Sequence, residues 1–207
     1  MRELLSELLR LFYVKDWVSG TGGGICGPAG DDALLVAPTG VHKERVQPED
    51  FFEIAITDGR ILQEPRGDKT PSECVPIFRA IARIRGARST VHSHALSAVL
   101  AGDLAEDEDH IVIAHLEMLK GLPGVGNADA HLVPVIGNTA REAELTDAVE
   151  AALHDERFTT ARAIIVRDHG AYIFGVDPWE AKRHAEVYHF LFEATVARHD
   201  RQKEGRR

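Results

Sequence analysis

The stretch "STVHSHAL" (89–96) sets His92 and His94 one residue apart. On a strand, side chains repeat every two residues, so both imidazoles share one face. Such a pair offers two legs of a metal site, or it is two hydrogen-bonded core residues. Catalytic zinc usually takes three protein ligands and keeps one position open. His169, in "VRDHGAYIF", is a candidate third ligand because the following glycine permits a tight turn; His115, at the end of "HIVIAH", is its rival. His131 and His154 read as ordinary packing or surface residues, and His184, His189 and His199 as solvent or packing positions of a last helix.

Two carboxylates are placed for chemistry. Glu117, in "HLEMLKG", follows a strand and precedes a glycine-rich loop, where a general acid/base could stand. Glu73, in "PSEC", reads as a metal ligand, a base or a helix-start charge, and Cys74 beside it as a small buried residue or a substrate contact. "GTGGGI" lacks the third glycine of a dinucleotide fingerprint and follows a helix where a strand is required. By itself the run reads as a plain turn after a helix; its bare amides and the Thr21 hydroxyl also suit a phosphate nest, and "PTGVHK" strengthens that reading with Thr39, Gly40 and Lys43.

The elements that must position these groups follow from periodicity. Leu4, Leu5, Leu8, Leu9 and Phe12 predict an amphipathic first helix. Glycine density predicts no regular structure over 19–27. Strands are expected at 33–40, 51–57, 89–94, 110–115 and 132–137, and a strand pair around Asp168-His169-Gly170. Helices are expected from Ser72 to Ile84, from about Ala95, from Thr139 with Glu142 in capping-box spacing, and from Asp177 as N-cap to His199, with a frayed end beyond. No repeat or linker divides the chain, so 1–207 is expected to form a single domain: an α/β/α sandwich around a mainly antiparallel sheet.

A net charge of −9 disfavours nucleic acid and anionic membranes as partners. Two cysteines without a C-x-x-C point to a reducing, cytoplasmic setting, and no apolar run is long enough to cross a bilayer.

The order "GTGGGI", "APTGVHKERVQPED", "SEC", "HSH", "EMLKG" and "HGAYIFG…WEAKRHAEVYHFLF" resembles the class II aldolase/adducin family over about residues 3–197. "GTGGGI", "EMLKG" and the aromatic stretch after His169 bring it nearest to the dehydratase branch; sugar-phosphate aldolases more often carry asparagine where Gly24 stands. The resemblance implies zinc on His92, His94 and His169, Glu117 as the catalytic acid/base, and Cys74 in the substrate site. It implies a phosphate against Thr21, Gly22, Gly23, Gly24, Thr39, Gly40 and Ser72, with Lys43 near. The implied activity is dehydration of 5-methylthioribulose 1-phosphate to 2,3-diketo-5-methylthiopentyl 1-phosphate in methionine salvage. Met118 and Tyr172–Phe174 are candidate seats for the methylthio tail. A homotetramer with sites at subunit contacts is also implied. Glu73 matches an aldolase residue that touches the metal, which keeps a sugar-phosphate aldolase or epimerase as the alternative. A non-catalytic adducin-like module is the reading of another class, and a complete histidine set speaks against it.

Overall fold

The computed structural model describes residues 1–205. Among them, nine strands form one mixed sheet in the order β4-β3-β2-β1-β5-β9-β8-β7-β6. The strands are β1 (Gly24–Ala29), β2 (Ala33–Val36), β3 (Phe52–Ala55), β4 (Ile61–Gln63), β5 (Ser89–Ser93), β6 (His110–Ile113), β7 (His131–Ile136), β8 (Ala163–Val166) and β9 (Gly170–Gly175). Each neighbouring pair is antiparallel except β7 with β8.

Helices cover both faces, as period-two strands with two apolar sides require. On one face α1 (Arg2–Val14), α3 (Leu96–Asp103) and α5 (Pro178–Glu204) bury Leu9, Phe12, Ala98, Tyr188 and Phe192 against Val91, Ile165 and Ile173. On the other, α2 (Val75–Arg85) and α4 (Thr146–His154) bury Phe78, Ile81 and Val149 against Ile164, Tyr172 and Phe174. Asp177 caps α5 as expected, accepting from the Trp179 and Glu180 amides. The helix runs on through Glu204, past the expected fraying point, and Arg206 and Arg207 lie outside the described residues.

Two expectations need correction. The glycine run is not irregular throughout: from Gly24 it enters β1, which pairs with both β2 and β5. Hydrogen bonds from two flanking strands outweigh the weak strand preference of glycine. Thr139 and Glu142 do not form a capping box either. The Thr139 hydroxyl donates to the Arg141 carbonyl, a 3-10 turn spans Glu142–Leu145, and α4 begins only at Thr146.

Candidate metal centre

β5 and β9 sit at the middle of the sheet and pair His92 with Tyr172 and Ser93 with Ala171. His92 therefore leaves the α2/α4 face, fully buried, with its ring stacked on Tyr172 at 4.1 Å and 8°. His94 lies just past the end of β5, where its amide donates to the Trp17 carbonyl at 2.8 Å. His169 occupies the turn between β8 and β9. That turn bends through Asp168 at φ 54° and Gly170 at φ 155°, and a side chain at position 170 would run into the Ser93 carbonyl. The glycine there is what lets His169 fold back onto β5.

The three Nε2 atoms converge. His92 to His94 is 2.9 Å, His94 to His169 is 3.1 Å and His92 to His169 is 3.2 Å. Glu142 joins them, with Oε1 at 3.2 Å from His92 Nε2 and 3.5 Å from His169 Nε2. One ligand atom from each of the four residues lies within 4.8 Å of the others. The far sides of the rings fix the tautomers. His92 Nδ1 faces the Ala171 carbonyl at 3.4 Å, and His169 Nδ1 faces Asn138 Oδ1 at 3.2 Å. Nδ1–H donation to those oxygens leaves Nε2 lone pairs pointing inward. Lone pairs gathered at this range repel unless a cation lies among them. A tetrahedral zinc at about 2.0–2.1 Å from each nitrogen keeps the nitrogens about 3.3–3.4 Å apart, close to the spacing here. The donor set fits a zinc-type ion.

Electrostatics agree with that reading. Burial, then the neighbouring His92 and His169 charges, push His94 down to about 3, and burial lowers His92, so both are neutral ligands near neutrality. Burial alone would raise Glu142, but its contacts with the His169 and His92 rings and the hydrogen bond from the Cys74 thiol leave it well below the usual carboxylate range. Burial and the Glu142 charge raise Cys74, so the thiol stays protonated and donates to Glu142 Oε2 at 2.5 Å.

The remaining sequence candidates divide. Gly22, Gly23 and Gly24 lie along the histidine strand. A Cβ on Gly22 would stand 2.6 Å from His94 Nδ1, one on Gly23 2.6 Å from the His92 carbonyl, and Gly24 pairs with His92 across β1 and β5. Ser72 lies beside Gly24, and its hydroxyl accepts from the Cys74 amide. Thr39 and Gly40 form a turn tied to this region through Thr39 N–H to the Thr70 carbonyl. Thr21 is exposed, and its carbonyl accepts from Lys43. Glu73 is exposed and outside the cluster, as is His115, which shares a surface hollow with Arg198. Tyr172 and Phe174 are wholly packed into the sheet and leave no surface for a methylthio tail, while Met118 is exposed.

Glu117 also stands apart. It opens the 3-10 turn Glu117–Gly121 after edge strand β6, and its side chain is 71% exposed, held by Lys120 and Asn127. Leu119 of that turn belongs to the α5 layer, opposite the face from which His92 projects. Glu142 is the functional candidate that sequence reasoning missed.

The sequence profile of the Class II Aldolase and Adducin N-terminal domain matches residues 3–196. The chain belongs to the class II aldolase and adducin family. Among relatives of this class II aldolase-like chain, probable bifunctional methylthioribulose-1-phosphate dehydratase/enolase-phosphatase E1 proteins of Populus trichocarpa and Arabidopsis thaliana are each 40% identical. The matches cover 96% and 95% of this chain but only 40% and 41% of those proteins, so the chain spans about two fifths of their length. In fold it is similar to an L-fuculose-1-phosphate aldolase from Thermus thermophilus, at TM-score 0.67 and 23% identity over 99% of both chains.

Proposed function

We propose that this class II aldolase-like chain is a zinc-dependent methylthioribulose-1-phosphate dehydratase acting in methionine salvage. The observation that carries the reading is the convergence of His92, His94 and His169 through Nε2, with Glu142 beside them, in a chain 40% identical to relatives bearing that name. His92, His94 and His169 would hold the ion. A divalent metal there supplies a Lewis acid that lowers the cost of negative charge on the sugar's carbonyl oxygen.

The chain's own groups supply the rest. Thr21 to Gly24, Thr39, Gly40 and Ser72 receive the phosphate, with Lys43 behind them. Cys74 stays beneath Glu142 as a neutral thiol. Glu117 takes the proton from C3 and returns one to the C4 hydroxyl, which leaves as water; the enol that remains tautomerises to the 2,3-diketone. Glu117 lies outside the cluster of its own chain, so this role calls for a neighbouring copy to bring it to the metal. A cyclic homotetramer with sites at subunit contacts supplies that arrangement. Within it, residues 1–207 act as one catalytic domain. Two unpaired thiols suit a cytoplasmic setting, and no helix among the described residues is long and apolar enough to cross a membrane.

An aldolase or epimerase is the second reading, favoured by the likeness to a sugar-phosphate aldolase fold. The deciding experiment incubates zinc-loaded protein with methylthioribulose 1-phosphate. Formation of the diketone supports dehydration, whereas an aldehyde and a ketone phosphate would show C–C cleavage. Metal analysis should find about one zinc per chain, lost in H94A and kept in H115A.

A further inference from the structure

Lys43 is the one buried lysine or arginine among the described residues, 2% exposed. An ammonium has three protons to donate and no lone pair. All three are spoken for: Nζ donates to the Thr21 carbonyl at 2.8 Å, the Val41 carbonyl at 3.2 Å and the Pro38 carbonyl at 3.4 Å. None remains for a phosphate oxygen.

The acceptors belong to two loops far apart in sequence, the glycine run and the Pro-Thr-Gly turn. In a trans peptide the N–H points opposite to the C=O. Turning the Thr21 and Pro38 carbonyls toward Nζ therefore aims the Gly22 and Thr39 amides away from it. Those amides are bonded in turn, Gly22 to the Ser19 carbonyl and Thr39 to the Thr70 carbonyl. A bridge between Pro38 and Pro71 ties the turn to the segment that carries Ser72. Each loop is thus gripped from both sides, with the cation at the junction.

We propose that Lys43 is a positioning residue for the phosphate of the substrate: it clamps the glycine run to the Pro-Thr-Gly turn and offers its charge from behind, without touching the phosphate. The proposal rests on the phosphate assignment above. A buried cation acts over several ångströms because its surroundings screen it less than water does. Free main-chain loops rich in glycine lose more entropy on ordering than other segments, so a clamp that orders them beforehand raises affinity for the group they receive.

The test uses K43M, which keeps the stem and removes the donors. In the zinc-loaded full chain, the Kd for inorganic phosphate should rise about tenfold or more, and KM for methylthioribulose 1-phosphate should rise with it, while kcat stays within about threefold. In the ligand-free variant, amides of 19–24 and 39–42 should exchange with solvent at least tenfold faster. Weakened phosphate binding with unchanged exchange would mean direct contact and overturn the clamp. Unchanged phosphate binding in folded K43M would overturn it as well. Should K43M fail to fold, the wild-type chain decides. Its Nζ protons should stay protected, with an unshifted nitrogen resonance, when phosphate is added; a large shift would show a new bond to the anion. If the wild type does not turn over the sugar, the dehydratase reading falls while the phosphate, exchange and resonance measurements still judge Lys43.

Discussion

In the proposed reaction Glu117 and Glu142 have different jobs. Glu142 faces two imidazole nitrogens and a thiol, and can share in holding an ion. Glu117 is exposed, and the hydrogen bonds from Lys120 and Asn127 hold its carboxyl below the usual range, as an ionised base. E117Q keeps size and reach but cannot titrate. It should leave zinc content and folding intact and lower kcat about 100-fold or more, with little change in KM. E142Q should show the reverse order of effects, with weakened zinc retention appearing first in a dialysis series. Near-normal turnover by E117Q would move the proton step to Glu142 rather than to Glu73, which is exposed and outside the cluster. The convergence of His92 and His94 was legible in the sequence because residues two apart keep to one side even where β5 stops at Ser93. Glu142 was not, because an acid three residues after Thr139 carries the same spacing as a helix cap, and only the tertiary contacts with His92 and His169 separate the two roles.

At the scale of elements, the glycine run and β5 work as one unit. The run can approach the imidazoles because it has no side chains there. G22A places a Cβ 2.6 Å from His94 Nδ1 and should tilt that ring off its direction. Zinc affinity should fall roughly 10- to 100-fold, the range seen when a ligand's orientation is disturbed, and a competition titration with a chelator reads it directly. A variant that keeps wild-type affinity would show that the loop moves aside. Most strands, the existence of α1 and α2 and the start of α5 could be read from periodicity and caps, since Leu5, Leu8, Leu9 and Phe12 or Asp177 and Pro178 leave little choice, whereas α1 stops at Val14, short of the glycine run, and α5 continues to Glu204. β1 as a whole could not be read that way, because its order comes from β2 and β5 rather than from Gly24 to Gly27 themselves.

For the molecule as a whole, buried histidines set the response to acid. Burial, then Arg162, pushes His131 from 6.5 down to about 4, and burial pushes His189 to about 3. Between pH 6.5 and 4.5 the unfolded chain takes up protons at these rings that the folded chain refuses, so stability falls as pH falls. H131Q should lessen that loss by about 2 kcal/mol over this interval, measured by urea unfolding at both ends of it. Equal losses in the variant and the wild type would remove His131 from the account. The sheet carries a further consequence, for the order of events in time. His92 and His169 are 77 residues apart along the chain and meet only when β5 pairs with β9 at the sheet's centre. Contacts of such long range form late, after the cost of closing the intervening chain has been met. A metal ion therefore finds no finished claw in the early collapsed chain and cannot seed its assembly. It acts as a latch fastened at the end: zinc should leave the refolding rate nearly unchanged and slow unfolding, which stopped-flow mixing with and without the ion would separate.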